Sequence, residues 1–175
     1  MAILFLINTP TALSSLRREI TTYTTSTTCT SPIIPDKAAY SLPYLQAVIK
    51  EAMRLHPPAT GWMNKQPPKG GAEIHGYFVP EGTQISVNIV YLLHDPKVFG
   101  ADSDVFRPER WIDSGEERLV EMNRALDLSF GYGRYQCMGV RIAWMEINKA
   151  VFEVSFVLTA ACEGGFADIL VAIAC

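Results

Sequence analysis

Apolar positions recur at helical spacing in three stretches of the chain and alternate in a fourth. In the first, Ile3, Leu4, Ile7, Leu13, Leu16 and Ile20 draw one apolar face over residues 1–20. Asn8-Thr9-Pro10 interrupts that face, so two consecutive helices are expected, the second starting near Pro10 and closing on Arg17, Arg18 and Glu19. In the second, Leu45, Val48, Ile49, Ala52 and Met53 predict a helix over 43–55. Pro43 suits its first turn, and Pro57-Pro58 ends it at about His56. In the third, Val140, Ala143, Trp144, Ile147, Val151 and Val154 predict a helix close to the C-terminal end.

The alternating stretch lies between the second and third helices. Ile74, Tyr77, Phe78 and Val79 precede Pro80-Glu81-Gly82-Thr83, and Ile85, Val87, Ile89 and Tyr91 then alternate with other residues. This predicts a hairpin turning at 80–83. Residues 21–36 are rich in threonine and contain Ser31-Pro32 and Pro35-Asp36, which reads as an exposed loop. Residues 116–127 are charged and read as a solvated helix or meander. Leu158 to Cys175 is apolar, but Glu163-Gly164-Gly165 and Asp168 break it too often for a membrane span. The expected fold class is mainly α with a small β-sheet, that is, α+β.

A length of 175 residues allows one domain with a real core. With 49% hydrophobic and 19% charged residues the composition is globular, which excludes a disordered chain. The net charge of −3 gives no general reason to expect nucleic acid as a partner. Cys29, Cys137, Cys162 and Cys175 are scattered, without a Cys-x-x-Cys pair, and His56, His75 and His94 stand far apart. Zinc ribbons and thioredoxin-like sites therefore lack their signature, and the pattern fits a reducing compartment. The run Ala2 to Ile7 falls well short of the ~20 residues of a membrane span. It also lacks a basic flank, so it reads as the end of a core helix and not as an anchor or signal peptide.

One loop concentrates the chemistry: Phe130-Gly131-Tyr132-Gly133-Arg134-Tyr135-Gln136-Cys137-Met138-Gly139. Its glycines permit positive φ or close approach of a flat partner. Cys137 falls at or just before a helix N-terminus, where free N–H groups favour a thiolate. A thiolate there suits a nucleophile, a redox thiol or a metal ligand; a small buried cysteine is the plainer alternative. Elsewhere, Glu51 and Arg54 stand at i and i+3, away from the apolar face of their helix, and by that wheel alone form an ordinary surface ion pair.

The pattern Phe-x-x-Gly-x-x-x-Cys-x-Gly, met by Phe130, Gly133, Cys137 and Gly139, resembles the haem-binding loop of the cytochrome P-450 family. Two further segments carry the resemblance in the family's order. Glu51-Ala52-Met53-Arg54 resembles its Glu-x-x-Arg helix, and Phe106-Arg107-Pro108-Glu109-Arg110-Trp111 its Pro-Glu-Arg segment. The wording Leu-Pro-Tyr-Leu-Gln-Ala-Val-Ile-Lys-Glu-Ala is most similar to fungal members. The resemblance covers residues 1–157, as the C-terminal, haem-binding part of a longer fold, and leaves 158–175 as a divergent tail.

The resemblance implies haem b with Cys137 as the axial thiolate ligand of its iron. Phe130 would shield the sulfur, and Gly131 and Gly133 would let backbone N–H groups approach it. Glu51, Arg54 and Arg110 would form a buried cluster that fixes the cysteine loop. The family often has a propionate-binding arginine two residues before the cysteine, where this chain has Tyr135; Arg134 and Lys65 are the candidate replacements. Residues 59–64 match a segment lining the substrate pocket, and Trp62 and Met63 suit either a substrate contact or the core. The implied activity is a monooxygenase that inserts one oxygen atom of O2 into a small apolar organic substrate, with electrons from an NADPH-dependent reductase or another donor. The helix bearing the family's oxygen-activating acid–threonine pair finds no match before residue 10, so no catalytic residue is assigned. Eukaryotic members usually sit on the endoplasmic reticulum, but no anchor is recognised here, and localisation stays open. Two alternatives stand beside the enzyme: a truncated, catalytically inactive remnant of the haem domain, and an unrelated protein with a reactive cysteine.

Overall fold

Helix α4 (Pro43–Leu55) is the element on which the others converge. In this computed structural model, which describes residues 1–26, 33–61 and 64–163 with side chains as far as Thr159, α4 touches seven other helices. They are α1 (Ala2–Asn8), α2 (Pro10–Ser26), α3 (Asp36–Tyr40), α5 (Ile89–Leu93), α7 (Arg110–Asp113), α8 (Glu116–Asp127) and α9 (Val140–Glu163). A short helix α6 (Pro96–Phe99) packs against α8. A hairpin of β1 (Ala72–Ile74) and β2 (Tyr77–Val79) completes the described elements. The fold is mainly helical with a small antiparallel sheet, as the pattern predicts.

The central position of α4 changes its character. Leu45, Val48, Ile49 and Met53 are buried as expected, but so are Glu51 and Arg54 on the opposite side. The surface ion pair that the wheel suggests is thus an interior one, because α7 and the chain around Phe99 and Ser103 form a second layer over that face. The N-terminus of α4 has no cap from its own sequence. Glu19, from α2, supplies it: its two carboxylate oxygens accept the amides of Tyr44 and Leu45, both at 2.8 Å.

The break between the first two helices falls at Thr9, with Pro10 opening α2. The helix then runs to Ser26, so residues 21–26 are not loop. Three threonine hydroxyls there find a carbonyl inside the helix: Thr22 bonds to Arg18, Thr24 to Ile20 and Thr25 to Thr21. Tyr23 adds an edge-on contact with Phe152 of α9. Residues 27–32 of the expected loop lie outside the described residues, 33–35 are irregular as expected, and Asp36 opens α3, whose Ala39 is fully buried.

The hairpin also differs from expectation. Its turn is His75-Gly76, not 80–83, and both residues have positive φ, +50° and +81°. That is the backbone a two-residue turn needs to match strand twist. The expected second strand over 85–91 is reduced to one antiparallel bridge between Lys65 and Ile85. Beyond it, the Asn88 side chain accepts the Tyr91 amide at 3.0 Å and starts α5. Ile89 and Leu93, four residues apart, then share one buried face. Capping and helical spacing together override the alternation.

The expected solvated helix is α8, but Met122, Ala125 and Leu126 turn inward. Helix α9 passes residue 157 without a break and runs on to Glu163; the remainder of the predicted tail, 164–175, lies outside the described residues. Thr159 is buried and bonds back to the Ser155 carbonyl. Among the described residues, no helix is long and apolar enough to cross a membrane.

Candidate functional site

Two groups of predicted residues define the site, a buried ionic cluster and the cysteine loop. In the cluster, Glu51, Arg54 and Arg110 come together with side chains at most 1% exposed. The Glu51 carboxylate accepts five bonds: two from Arg54 at 2.9 Å, one from Arg110 Nε at 2.8 Å, one from the Arg107 amide at 3.0 Å and one from Trp111 Nε1 at 2.9 Å. The remaining guanidinium protons go mainly to carbonyls, Arg54 to Leu93, Ser103 and Val105, Arg110 to Phe99, Asp102 and Val105. A buried ion cluster is tolerated only when its polar atoms are satisfied in this way.

Three members of this network escape the sequence reading. Trp111 donates to Glu51 and lies beneath the Lys50 ammonium, 5.4 Å from the ring centre; its position directly after Arg110 is the signal that points to it. Asp102 bonds both Arg110 and Arg107, at 3.1 and 2.6 Å. Desolvation raises the Asp102 pKa, but the two guanidiniums outweigh it and hold the carboxyl below its ordinary value. Lys50 Nζ donates to Asn123 Oδ1 at 2.9 Å, which ties α4 to α8, the helix that leads into the cysteine loop. Burial lowers the pKa of that ammonium, against an opposing pull from Asp127.

The loop leaves α8 through a 3-10 turn at Leu128–Phe130 and passes a second at Gly133–Tyr135. Gly131 and Gly133 adopt φ of +79° and +62°. Gly131 is also closely packed, since an added Cβ would lie 2.8 Å from the Tyr135 carbonyl oxygen. The Cys137 amide donates back to the Phe130 carbonyl at 2.8 Å, closing the loop into a ring of backbone. Cys137 is exposed, with a free thiol, three residues before Val140, the first residue of α9. It is not the buried small residue of the plainer reading.

Some expected roles shift. The Gly131 N–H donates to the Leu128 carbonyl at 2.9 Å, so it is committed to the turn and not to the sulfur. Gly139 has no positive φ. Its carbonyl takes the Ala143 amide at 2.8 Å, the first bond of α9, and an added Cβ would lie 3.8 Å from Cys137 Sγ. Phe130 rests on Trp144 of α9, ring centres 6.2 Å apart. Arg134 and Lys65 converge on Tyr135: Arg134 Nη2 donates to the phenol oxygen at 2.7 Å, and Lys65 Nζ lies 3.9 Å from the ring centre. Trp62 and Met63 lie outside the described residues.

Beside the loop is an open cavity of about 420 Å³. Lys65, Gly131 and Tyr132 line it together with apolar side chains of the hairpin region, among them Ile74, Ile85 and Ile89. Among the described residues, no three His, Cys, Asp or Glu side chains gather to hold a bare metal ion.

Comparison with known proteins agrees with this arrangement. The cytochrome P450 family model matches residues 1–154. The chain is 44% identical over 151 residues to cytochrome P450 monooxygenase ABA1 of Pyricularia oryzae, covering 86% of this chain and 30% of that protein. It is 42% identical over 145 residues to cytochrome P450 monooxygenase aba1 of Botryotinia fuckeliana, covering 83% of this chain and 28% of that protein. With pisatin demethylase of Fusarium vanettenii it shares 39% identity over 150 residues, 86% of this chain and 27% of that protein. The chain thus spans less than a third of the length of these curated relatives. The matched region takes in the Glu51–Arg54 helix, the Arg110 segment and the whole Cys137 loop, and the chain belongs to the cytochrome P450 family.

Proposed function

We propose that Cys137 would supply the thiolate that holds a haem b iron, and that the whole protein is a monooxygenase acting on a small apolar organic substrate with a reductase as electron donor. The carrying observation is the free, exposed thiol of Cys137 on a loop whose backbone is closed by the Cys137–Phe130 hydrogen bond.

The donor set fits the group. A bare transition metal needs several protein ligands, whereas a haem brings its own macrocycle and would need one thiolate from the chain. The single exposed sulfur matches the second case. The apolar cavity and the glycine-rich backbone beside it suit a flat, largely apolar macrocycle. When bound, the haem supplies the oxygen and electron chemistry, which a thiolate ligand tunes by pushing electron density toward the iron.

The chain's own residues have positional roles. Gly131 and Gly133 set the curvature of the loop, and Phe130, seated on Trp144, braces its start. Glu51, Arg54, Arg110 and Trp111 hold α4, α7 and the chain around Val105 as one body, and Lys50–Asn123 links that body to α8.

The test is an absorption spectrum of the purified chain with added haem, reduced, before and after carbon monoxide. The expected result is the red-shifted Soret band of a thiolate–carbonyl complex, lost in Cys137→Ala. An unchanged spectrum in that variant would rule out Cys137 as the ligand. Absence of haem uptake would overturn the haem reading for this chain and favour the remnant.

A further inference from the structure

We infer that Gln46 and Lys50 are positioning residues for Cys137: from one face of α4 they hold the two helices between which the cysteine loop is slung, and so fix the span of that loop. The inference rests on the haem reading above for its purpose, and concerns how this chain keeps one exposed sulfur in one place.

Two hydrogen bonds of the same geometry carry it. Gln46 Nε2 donates to Asn148 Oδ1 of α9, and Lys50 Nζ donates to Asn123 Oδ1 of α8 at 2.9 Å. Each asparagine turns its own Nδ2 back to the carbonyl four residues earlier in its helix, Asn148 to Trp144 and Asn123 to Leu119, both at 2.7 Å. Gln46 and Lys50 are themselves four residues apart, so they stand one turn from each other on one face of α4. The loop, residues 128–139, runs from the end of α8 to the start of α9. Both of its flanking helices are therefore pegged, through asparagine side chains, to successive turns of a single helix.

The amides of Gln46 and Asn148 can be bonded in only one sense. Gln46 Nε2 also donates to the Ala39 carbonyl at 3.0 Å, and Asn148 Nδ2 faces the Trp144 carbonyl. Carbonyls only accept, so the two nitrogens must face them, which leaves Asn148 Oδ1 for the second Gln46 hydrogen. Asn148 is fully buried, on the helix face that also carries Trp144, Ile147 and Val151. Apolar contact is non-directional and tolerates a helix that slides or rotates. A buried amide with fixed partners does not, which is how a buried asparagine sets register in paired helices.

From Asn148 the hold reaches the cysteine in three steps. Asn148 fixes the Trp144 carbonyl, the Trp144 ring seats Phe130 with ring centres 6.2 Å apart, and the Phe130 carbonyl accepts the Cys137 amide at 2.8 Å.

The experiment uses the full chain and two double variants, Gln46→Leu/Asn148→Leu and Lys50→Leu/Asn123→Leu. Each removes both partners of one bond together, which costs far less stability than stranding one of them. Amide hydrogen exchange in haem-free protein is followed at Cys137 and, as a reference for global opening, at Val48 in the buried face of α4. In each double variant the ratio of the Cys137 rate to the Val48 rate is expected to rise about tenfold, the scale of one lost hydrogen bond. Lys50→Arg, which keeps a donor for Asn123, should leave the ratio as in wild type. With haem added, reduced and under carbon monoxide, the double variants should lose part of the red-shifted Soret band to the shorter-wavelength band of a haem without thiolate, and Lys50→Arg should keep it. A ratio that does not rise in either double variant overturns the inference, since any loss is then one of general stability with no particular hold on the loop. A wild-type chain that takes up no haem overturns the haem reading, and with it the purpose of this hold; exchange in the haem-free protein still decides whether the hold exists.

Discussion

Arg110 Nε meets the Glu51 carboxylate at 2.8 Å across a separation of 59 residues, in an interior that leaves neither side chain more than 1% exposed. The pair joins α7 to α4, and the Arg54 guanidinium meets the same carboxylate. Removing one partner leaves buried charge with part of its hydrogen bonding lost. Arg110→Ala or Glu51→Ala should therefore cost about 3–5 kcal/mol, a large share of the stability of a domain this size. Arg110→Lys should cost nearly as much, because one ammonium cannot replace bonds to Glu51, Phe99, Asp102 and Val105 at once. Urea unfolding measures both; a lysine variant close to wild type would show that charge alone suffices.

Glu19 presents a smaller and separable case. It stands in for an N-cap that Leu42 cannot provide, with one oxygen on each of two successive amides at the start of α4. Its negative charge also lies at the positive end of the helix. Glu19→Ala should lower stability by about 1 kcal/mol, in the range of lost helix caps. Glu19→Gln, which keeps an acceptor but loses the charge, should fall between. Equal urea midpoints for wild type and the alanine variant would mean that water caps the helix as well.

How far the sequence discloses this molecule depends on the range of the interaction. Helices α1, α2, α4 and α9 are written in local spacing and proline placement, and their starts are found near their expected positions. Glu51 and Arg54 show the limit of that reading: a helical wheel assigns them to solvent, and only a layer supplied by residues 99–111 makes them core. The same applies to the threonine run, where composition suggests loop but hydroxyl-to-carbonyl bonds and the Tyr23–Phe152 contact keep residues 21–26 helical. In the hairpin, the turn falls at His75-Gly76, a weaker local signal than Pro80-Glu81-Gly82. The cysteine loop was legible because its pattern is dense. The meeting of Lys65 with Tyr135 is not, since it joins segments 70 residues apart.

Gly131 and Gly133 should respond differently to the same substitution. Both have positive φ, which costs an alanine roughly 1–2 kcal/mol in the left-handed region and more at Gly131, whose ψ of −178° lies where essentially only glycine is found. At Gly133 nothing lies within 4 Å of the added carbon, so backbone strain is the whole effect. At Gly131 the carbon would also meet the Tyr135 carbonyl oxygen at 2.8 Å, a backbone atom that moves only if the loop does. Gly131→Ala should be the more damaging in thermal unfolding, and it should also displace the Cys137 amide from the Phe130 carbonyl. Hydrogen exchange at Cys137 reads that second effect. Equal losses at the two positions would show that the loop absorbs the clash.

The interface between α4 and the segment before α7 has a pH signature of its own. Tyr44 donates its phenol proton to Glu109 Oε1 at 2.6 Å. Burial, followed by the hydrogen bond and charge of Glu109, raises the Tyr44 pKa well above its ordinary value of 10.0. The folded state thus holds this proton more firmly than the unfolded chain does. Such a group contributes its stability in full below the unfolded pKa, and the contribution is lost as pH rises above about 10 toward the folded value. Asp102 has the opposite sign: its lowered folded pKa contributes stability above the unfolded value, which is lost as pH falls through the folded one. Tyr44→Phe removes the alkaline effect without touching the acid one. Urea midpoints measured across both limbs should therefore show a flatter alkaline fall for Tyr44→Phe and an unchanged acid fall. If wild type and variant decline in parallel above about pH 10, the phenol is not the group being titrated, and the alkaline loss belongs to lysines or to other tyrosines.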